Sequence, residues 1–148
     1  MKQLKLFRSD ERGATLLEFS IAATVFLVCM FAVIEFGRVI WTHNALSDAA
    51  RRGARYAVLH PATSSDQVKN VVVYGDPAGG PKPLVENLAV SNVSVNYSQF
   101  SLGKGTVSVS ITSYQFQFVL PLLGTSIQMP GYTTTLTGES IGFVPADM

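Results

Sequence analysis

The residues able to do chemistry are few in this sequence, and their spacing does not suit it. His43 and His60 are far apart, and neither stands at a metal-ligand spacing with Cys, Asp or Glu. His60, beside Pro61, reads as a helix C-terminal residue that interacts with the helix dipole. Cys29 is the only cysteine, so it has no intrachain disulfide partner and reveals nothing about compartment. It reads as a small apolar residue; a lipidation site would want a small residue before it, and Val28 stands there. The stretch "GDPAGGPKP" (Gly75 to Pro83) is glycine-rich, but it lacks the strand–loop–helix setting and the Lys-Ser/Thr end of a phosphate loop. No Gly-x-Ser-x-Gly elbow occurs, and Glu139 reads as a solvated residue of a terminal strand. The sequence thus offers no catalytic set, cofactor site or metal site. One side chain is nevertheless out of place. Glu18 lies in "RGATLLEFSIAATVFLVCMFAVIEFGR", where an unpaired carboxylate at mid-membrane depth would cost about 2.5–3.5 kcal/mol, and less near the interface.

The element that carries Glu18 is apolar enough to cross a bilayer. Ala14 to Ile34 is about 21 residues, or roughly 30 Å of helix, which is the thickness of the hydrocarbon core. Ser20 and Thr24 can bond back to the helix's own carbonyls. A removable secretory signal is the rival reading: the basic start is present (Lys2, Lys5, Arg8, Arg12), but "FAVIEFGR" has no small-x-small cleavage site. The charged fraction of the 148-residue chain is 14%, against about 25% in ordinary soluble domains. The net charge of +1 gives no argument for nucleic acid. Charge does not set orientation either, because Arg38, Arg51, Arg52 and Arg55 follow the run much as the four basic residues precede it.

The helix is expected to continue to His60, where Pro61 stops it. Such a helix is about 45 residues long, or roughly 70 Å, more than a globular domain needs. Ala45, Ala49, Gly53 and Ala57 recur every four residues as a small-residue stripe, with Leu46, Ala50, Ala54 and Val58 beside it. A stripe of this kind lets another backbone approach closely, either a second helix or the chain's own later domain. Asp48 stands four residues before Arg52, a supportive ion-pair spacing.

The remainder reads as a small domain. "SSDQVKNVVVYG" is a short helix with a box-like start at Ser64 and Gln67, although its β-branched core also suits a strand. "GDPAGGPKP" is a loop. Alternation then marks strands in "NVSVNYS", "TVSVSITSYQFQF" and "GYTTTLTGES", with "SLGKG" as a turn and "LPLLG" as an interruption. Val107, Val109 and Ile111 share one parity, whereas Tyr114, Phe116 and Phe118 share the other. A bulge near Thr112 and Ser113 would return the aromatics to the first face. About three antiparallel strands would then bury a Val/Tyr/Phe face against the outer helix. The fold class is α+β: a long N-terminal transmembrane-plus-amphipathic helix followed by a small antiparallel β-sheet domain.

Two motifs give these elements a context. In "RGATLLEF" a basic leader ends at Gly13, and Glu18 follows as the fifth residue of what would remain after a cut there. This resembles the type IV prepilin signal, which a membrane peptidase cleaves after the glycine, here between Gly13 and Ala14. Further on, Glu35-Phe36-Gly37-Arg38 and Ala49-Ala50-Arg51-Arg52-Gly53-Ala54-Arg55-Tyr56-Ala57 resemble the membrane-exit motif and the "AAR-x-GARYA"-like stretch of the TadE-like family of the tight-adherence (Flp pilus) system. The resemblance covers roughly Arg12 to Val58, about a third of the chain. It implies a pseudopilin anchored in the bacterial inner membrane, with the N-terminus cytoplasmic and the C-terminal domain periplasmic. Its implied partners are the prepilin peptidase, other pilin-like subunits and the pilus assembly platform. It also implies that Glu18 sets the register between subunits. The expected divisions are a leader at 1–13, a transmembrane helix at 14–34, a periplasmic extension at 35–60 and a periplasmic domain at 61–148. Glu35 and Arg38 read as a boundary ion pair. The alternative is a permanently anchored adhesion or binding module, which would need neither cleavage nor Glu18.

Overall fold

The computed structural model describes residues 11–101, 104–119 and 124–138. The leader up to Asp10, Leu102 and Gly103 of the expected turn, Leu120 to Leu123 of "LPLLG", and Glu139 lie outside the described residues.

One helix dominates the fold. α1 runs from Glu11 to Val58, 48 residues, with no proline inside it. It stops just before Pro61; a short 3-10 turn, Ala62–Ser64, leads into α2, Ser65–Tyr74. α2 settles the ambiguous "VVVY" as helix, because Val68, Val71 and Val72 fall on one face and bury it. The expected capping box does not form: Ser64 makes no side-chain cap bond, and the Gln67 side chain instead accepts a hydrogen bond from the Tyr56 hydroxyl at 3.2 Å. Gly75 ends α2 at φ +80°, a left-handed conformation that glycine adopts without a Cβ penalty.

The sheet that covers α1 has three antiparallel strands in the order β1 (Val93–Ser101), β2 (Lys104–Ile111), β5 (Tyr132–Thr137). Val95 pairs with Val109 and Val109 with Thr134, so the odd-numbered residues of β1 and β2 share one face with Tyr132 and Leu136. On that face Val107, Val109 and Ile111 are fully buried in a cluster with Leu46, Ala49, Ala50 and Ala54 of α1 and Val68 and Val72 of α2. The opposite face is a hydroxyl ladder: Ser110 bonds Thr133 at 2.9 Å, and Thr135 donates to Ser108 at 3.1 Å.

The expected bulge at Thr112–Ser113 is a strand break instead. Ser113 takes φ +58°, and the Asn92 side-chain amide donates to the carbonyls of Thr112 and Ser113, both at 3.2 Å. The chain then leaves the main sheet. Gln115–Gln117 becomes β3, pairing antiparallel with β4, Ser126–Gln128, in a separate two-stranded sheet. The aromatics do reach the core: Tyr114 and Phe116 are buried, and the Tyr114 hydroxyl donates to the Glu86 carbonyl at 2.7 Å.

Candidate functional site where the helix meets the domain

Along α1, the exit motif divides two environments. Before Glu35 nearly every side chain is exposed, apolar ones included; the 18-residue window with mean hydropathy 2.4 has none of its residues buried within the chain. A helix apolar all round and packed on nothing of its own suits lipid or other helices, not water. Ser20 and Thr24 donate to the carbonyls of Leu16 and Ser20, both at 2.8 Å, so their hydroxyls are satisfied within the helix. From Glu35 onward one face is buried.

Glu35 is the fastener between the two. It is only 3% exposed, and both of its oxygens are used. Oε2 accepts from Arg38 at 2.7 Å, and Oε1 accepts from the backbone N–H of Val119 at 3.0 Å. Arg38 in turn lies over the Phe116 ring, 5.2 Å from its centroid, and Phe116 meets Phe118 edge-on. A buried carboxylate is tolerable when it is paired and its remaining lone pairs are filled, as here. The i,i+3 spacing of Glu35 and Arg38 was a signal for their pair; the bond to Val119 uses a backbone amide and left no trace in the sequence. Phe36 and Gly37, the other two residues of the motif, are exposed.

The small-residue stripe packs inward. Ala49, Gly53 and Ala57 are buried and Ala45 is half-buried. A Cβ on Gly53 would collide with Cγ2 of Val72 and stand 3.3 Å from Cγ1 of Val109. The close approach that the stripe permits is therefore made by the chain's own α2 and β2. Arg52 does not pair with Asp48. It donates to the carbonyls of Val71 and Val72 at 3.2 and 3.3 Å, filling acceptors in the last turn of α2 and complementing the dipole there. Asp48 lies 3.7 Å from Arg51 instead.

The histidines brace the helix. His60 Nδ1 bonds the Tyr56 carbonyl at 2.8 Å, and its ring stacks on Tyr56. His43 Nδ1 meets the Tyr132 hydroxyl at 2.8 Å, tying α1 to the start of β5. Among the described residues no group of three or more His, Cys, Asp or Glu could hold a metal ion.

The motif residues at the other end of α1 stand free. Gly13 and Ala14 are exposed near its start, and nothing lies within 4 Å of where a Gly13 Cβ would be. Glu18 is exposed and forms no ion pair among the described residues. Its side chain is available to something outside the folded domain.

These features define a class: an α+β protein whose small antiparallel domain is fastened to the outer half of one long helix, with the apolar inner half uncovered. Over residues 13–55 the chain matches the family model described as TadE-like protein, so the segment that includes Glu35 to Arg38 and the small residues Ala45, Ala49 and Gly53 is TadE-like. No curated protein and no solved structure matches the chain. The TadE-like family is one of structural pilus components.

Proposed function

We propose that the chain is a minor pilin or pseudopilin-like structural protein serving assembly of Flp-type (tight-adherence) type IV pili. The observation that carries this reading is the family match, which begins at residue 13, the glycine after which a prepilin signal would be cut. Residues 1–13 act as the leader, 14–34 cross the inner membrane, 35–60 extend the helix outward, and 61–148 form the periplasmic domain. The N-terminus faces the cytoplasm. The prepilin peptidase cuts between Gly13 and Ala14 and frees the α-amine of Ala14. Glu18, four residues on and on the same helical face, pairs with that amine or with the amine of a neighbouring pilin-like subunit. That pairing removes the cost of an isolated carboxylate and sets the axial register. With the outer stripe occupied by the chain's own domain, neighbouring subunits meet the protein along its uncovered apolar half.

Intact mass and N-terminal sequencing test the reading, on protein extracted from membranes that contain the prepilin peptidase. The expected chain begins at Ala14. A chain that still begins at Met1 would instead favour the permanently anchored adhesion or binding module. Glu18→Ala separates the same two readings in cells: assembly of the pilus should fail while the protein stays in the membrane, whereas an anchored module would keep working.

A further inference from the structure

The hydrogen bond between Glu35 and Val119 has a second consequence, which rests on the reading that residues 14–34 span the membrane. Glu35 is the first residue beyond that span. Its bond to the Val119 amide at 3.0 Å therefore holds one point of the β3–β4 hairpin at the height where the helix leaves the lipid. Val119 lies just past β3, where the Phe118 amide still bonds the Thr125 carbonyl at 3.2 Å, so it belongs to the end of the hairpin away from the main sheet. Among the described residues near that end, two exposed apolar side chains stand between the exposed polar Gln117, Thr125 and Ser126. Val119 is 70% exposed, and Ile127, opposite Phe116 in the hairpin, is 47% exposed. The outward face of the main sheet, by contrast, carries hydroxyls.

The helix marks the same level. Phe36 and Ile40 are exposed beyond Glu35, and so is Trp41, the chain's only tryptophan. Trp41 stands six residues past Glu35, about 9 Å along the axis, within the headgroup zone that tryptophan favours. Single exposed apolar residues need no explanation. Apolar residues pinned beside the emergence point of a transmembrane helix are a different matter, because a lipid surface is adjacent to them.

We infer that Val119, at the close of β3, seats in the outer surface of the bilayer beside the emerging helix. The protein then meets the membrane at two points. A single helix is free to rotate and tilt about its axis; a second contact removes that freedom and fixes which side of the helix faces its neighbours.

The test is depth measurement on the full chain in bilayers of phosphatidylethanolamine and phosphatidylglycerol. In a Cys29→Ser background, single cysteines replace Val119, Ile127, Thr135 or Val25, and each carries a nitroxide label. Val119→Cys keeps the amide that bonds Glu35, and the side chain it replaces is exposed. Collision rates with oxygen, which partitions into lipid, and with a water-soluble nickel chelate report depth. The expected result is an oxygen-to-nickel ratio at 119 shifted well above that at 135 and toward that at 25, with 127 between. A label at 119 that matches 135 overturns the inference, and so does one shielded from both reagents, which would mean that protein covers the hairpin. In either case a label at 25 that still reports lipid leaves the transmembrane reading standing. Water-like values at both 25 and 119 would remove that reading and the inference together.

Discussion

The two halves of α1 share one backbone and differ in everything around it. From Gly13 to Ile34 the side chains are mostly Leu, Ile, Val, Phe and Ala on every side, and almost none is buried by another part of the chain. From Glu35 to Val58 the helix has two faces. One carries Leu46, Ala49, Ala54 and Ala57, fully buried; the other carries Asn44, Asp48, Arg51 and Arg55, all exposed. The comparison teaches that apolar content alone does not say what a helix packs on. The outer half uses small residues so that a sheet and a second helix can come close. The inner half carries larger apolar side chains and packs on almost nothing else among the described residues.

The largest expected effect comes from truncating the same residue type in each half. Leu46 is fully buried, so Leu46→Ala should cost the domain about 2–5 kcal/mol, the range for a buried leucine that leaves a cavity. Leu17→Ala should leave domain stability unchanged, because Leu17 touches nothing in the fold. Urea unfolding in detergent, followed at the β-sheet signal, measures both. Equal losses from the two variants would break the comparison. Glycine substitution comes next. Gly53→Ala should cost about 1–3 kcal/mol, since the new Cβ meets Val72 and Val109 in a packed interface. Gly37→Ala meets nothing within 4 Å and should be neutral or stabilising by up to about 1 kcal/mol, through helix propensity.

The two glutamates make the same contrast in charge. Glu35→Gln keeps the shape of the side chain but has one acceptor oxygen where the carboxylate has two, so it turns an NH2 donor toward either Arg38 or the Val119 amide and should destabilise the hairpin by about 1–3 kcal/mol. Faster hydrogen exchange at Val119 would report it directly. Glu18→Gln should leave that exchange and the unfolding midpoint as they were, because Glu18 has no partner within the described fold.

What the sequence made legible follows this division. The helix was readable because one apolar run and a proline-free stretch bound it, and because lipid-like composition needs no partner to be recognised. The core parity of Val107, Val109 and Ile111 was readable because alternation alone sets which side of a strand is buried. The stripe at Ala45, Ala49, Gly53 and Ala57 was visible, but periodicity does not say whether the approaching backbone belongs to the same chain. The parity slip at Thr112–Ser113 was visible too; a bulge and a departure to a second sheet produce the same slip, and only the pairing with Ser126–Gln128 tells them apart. That strand is three residues long, Ser-Ile-Gln, too short for its one apolar residue to mark a strand. Arg52 and Ser64 failed for a common reason. Local spacing offered each a partner in its own helix, and tertiary structure offered better acceptors to Arg52 and gave Gln67 to Tyr56.

The smallest expected effect is in pH, and it belongs wholly to the outer half and its domain. Burial pushes the hydroxyls of Tyr97, Tyr114 and Tyr132 above their ordinary value of 10.0; for Tyr114 the nearby Glu86 adds to the rise and Arg38 opposes it. These groups are neutral when protonated, so the folded state holds their protons more tightly than the unfolded chain does. Their contribution to stability is complete below pH 10.0 and is lost as the pH climbs through the raised folded values. The unfolding midpoint should be insensitive to this source between neutral pH and about pH 9, then fall as the pH passes 10, while the helicity of the inner half in bilayers stays constant. Residues 13–34 contain no tyrosine, so a parallel alkaline loss there could not come from these groups. Tyr114→Phe isolates one part of the effect. It should lower stability at neutral pH by about 1 kcal/mol, through the lost bond to the Glu86 carbonyl, and make the alkaline slope shallower. A slope unchanged by that substitution would place the alkaline sensitivity elsewhere than at Tyr114.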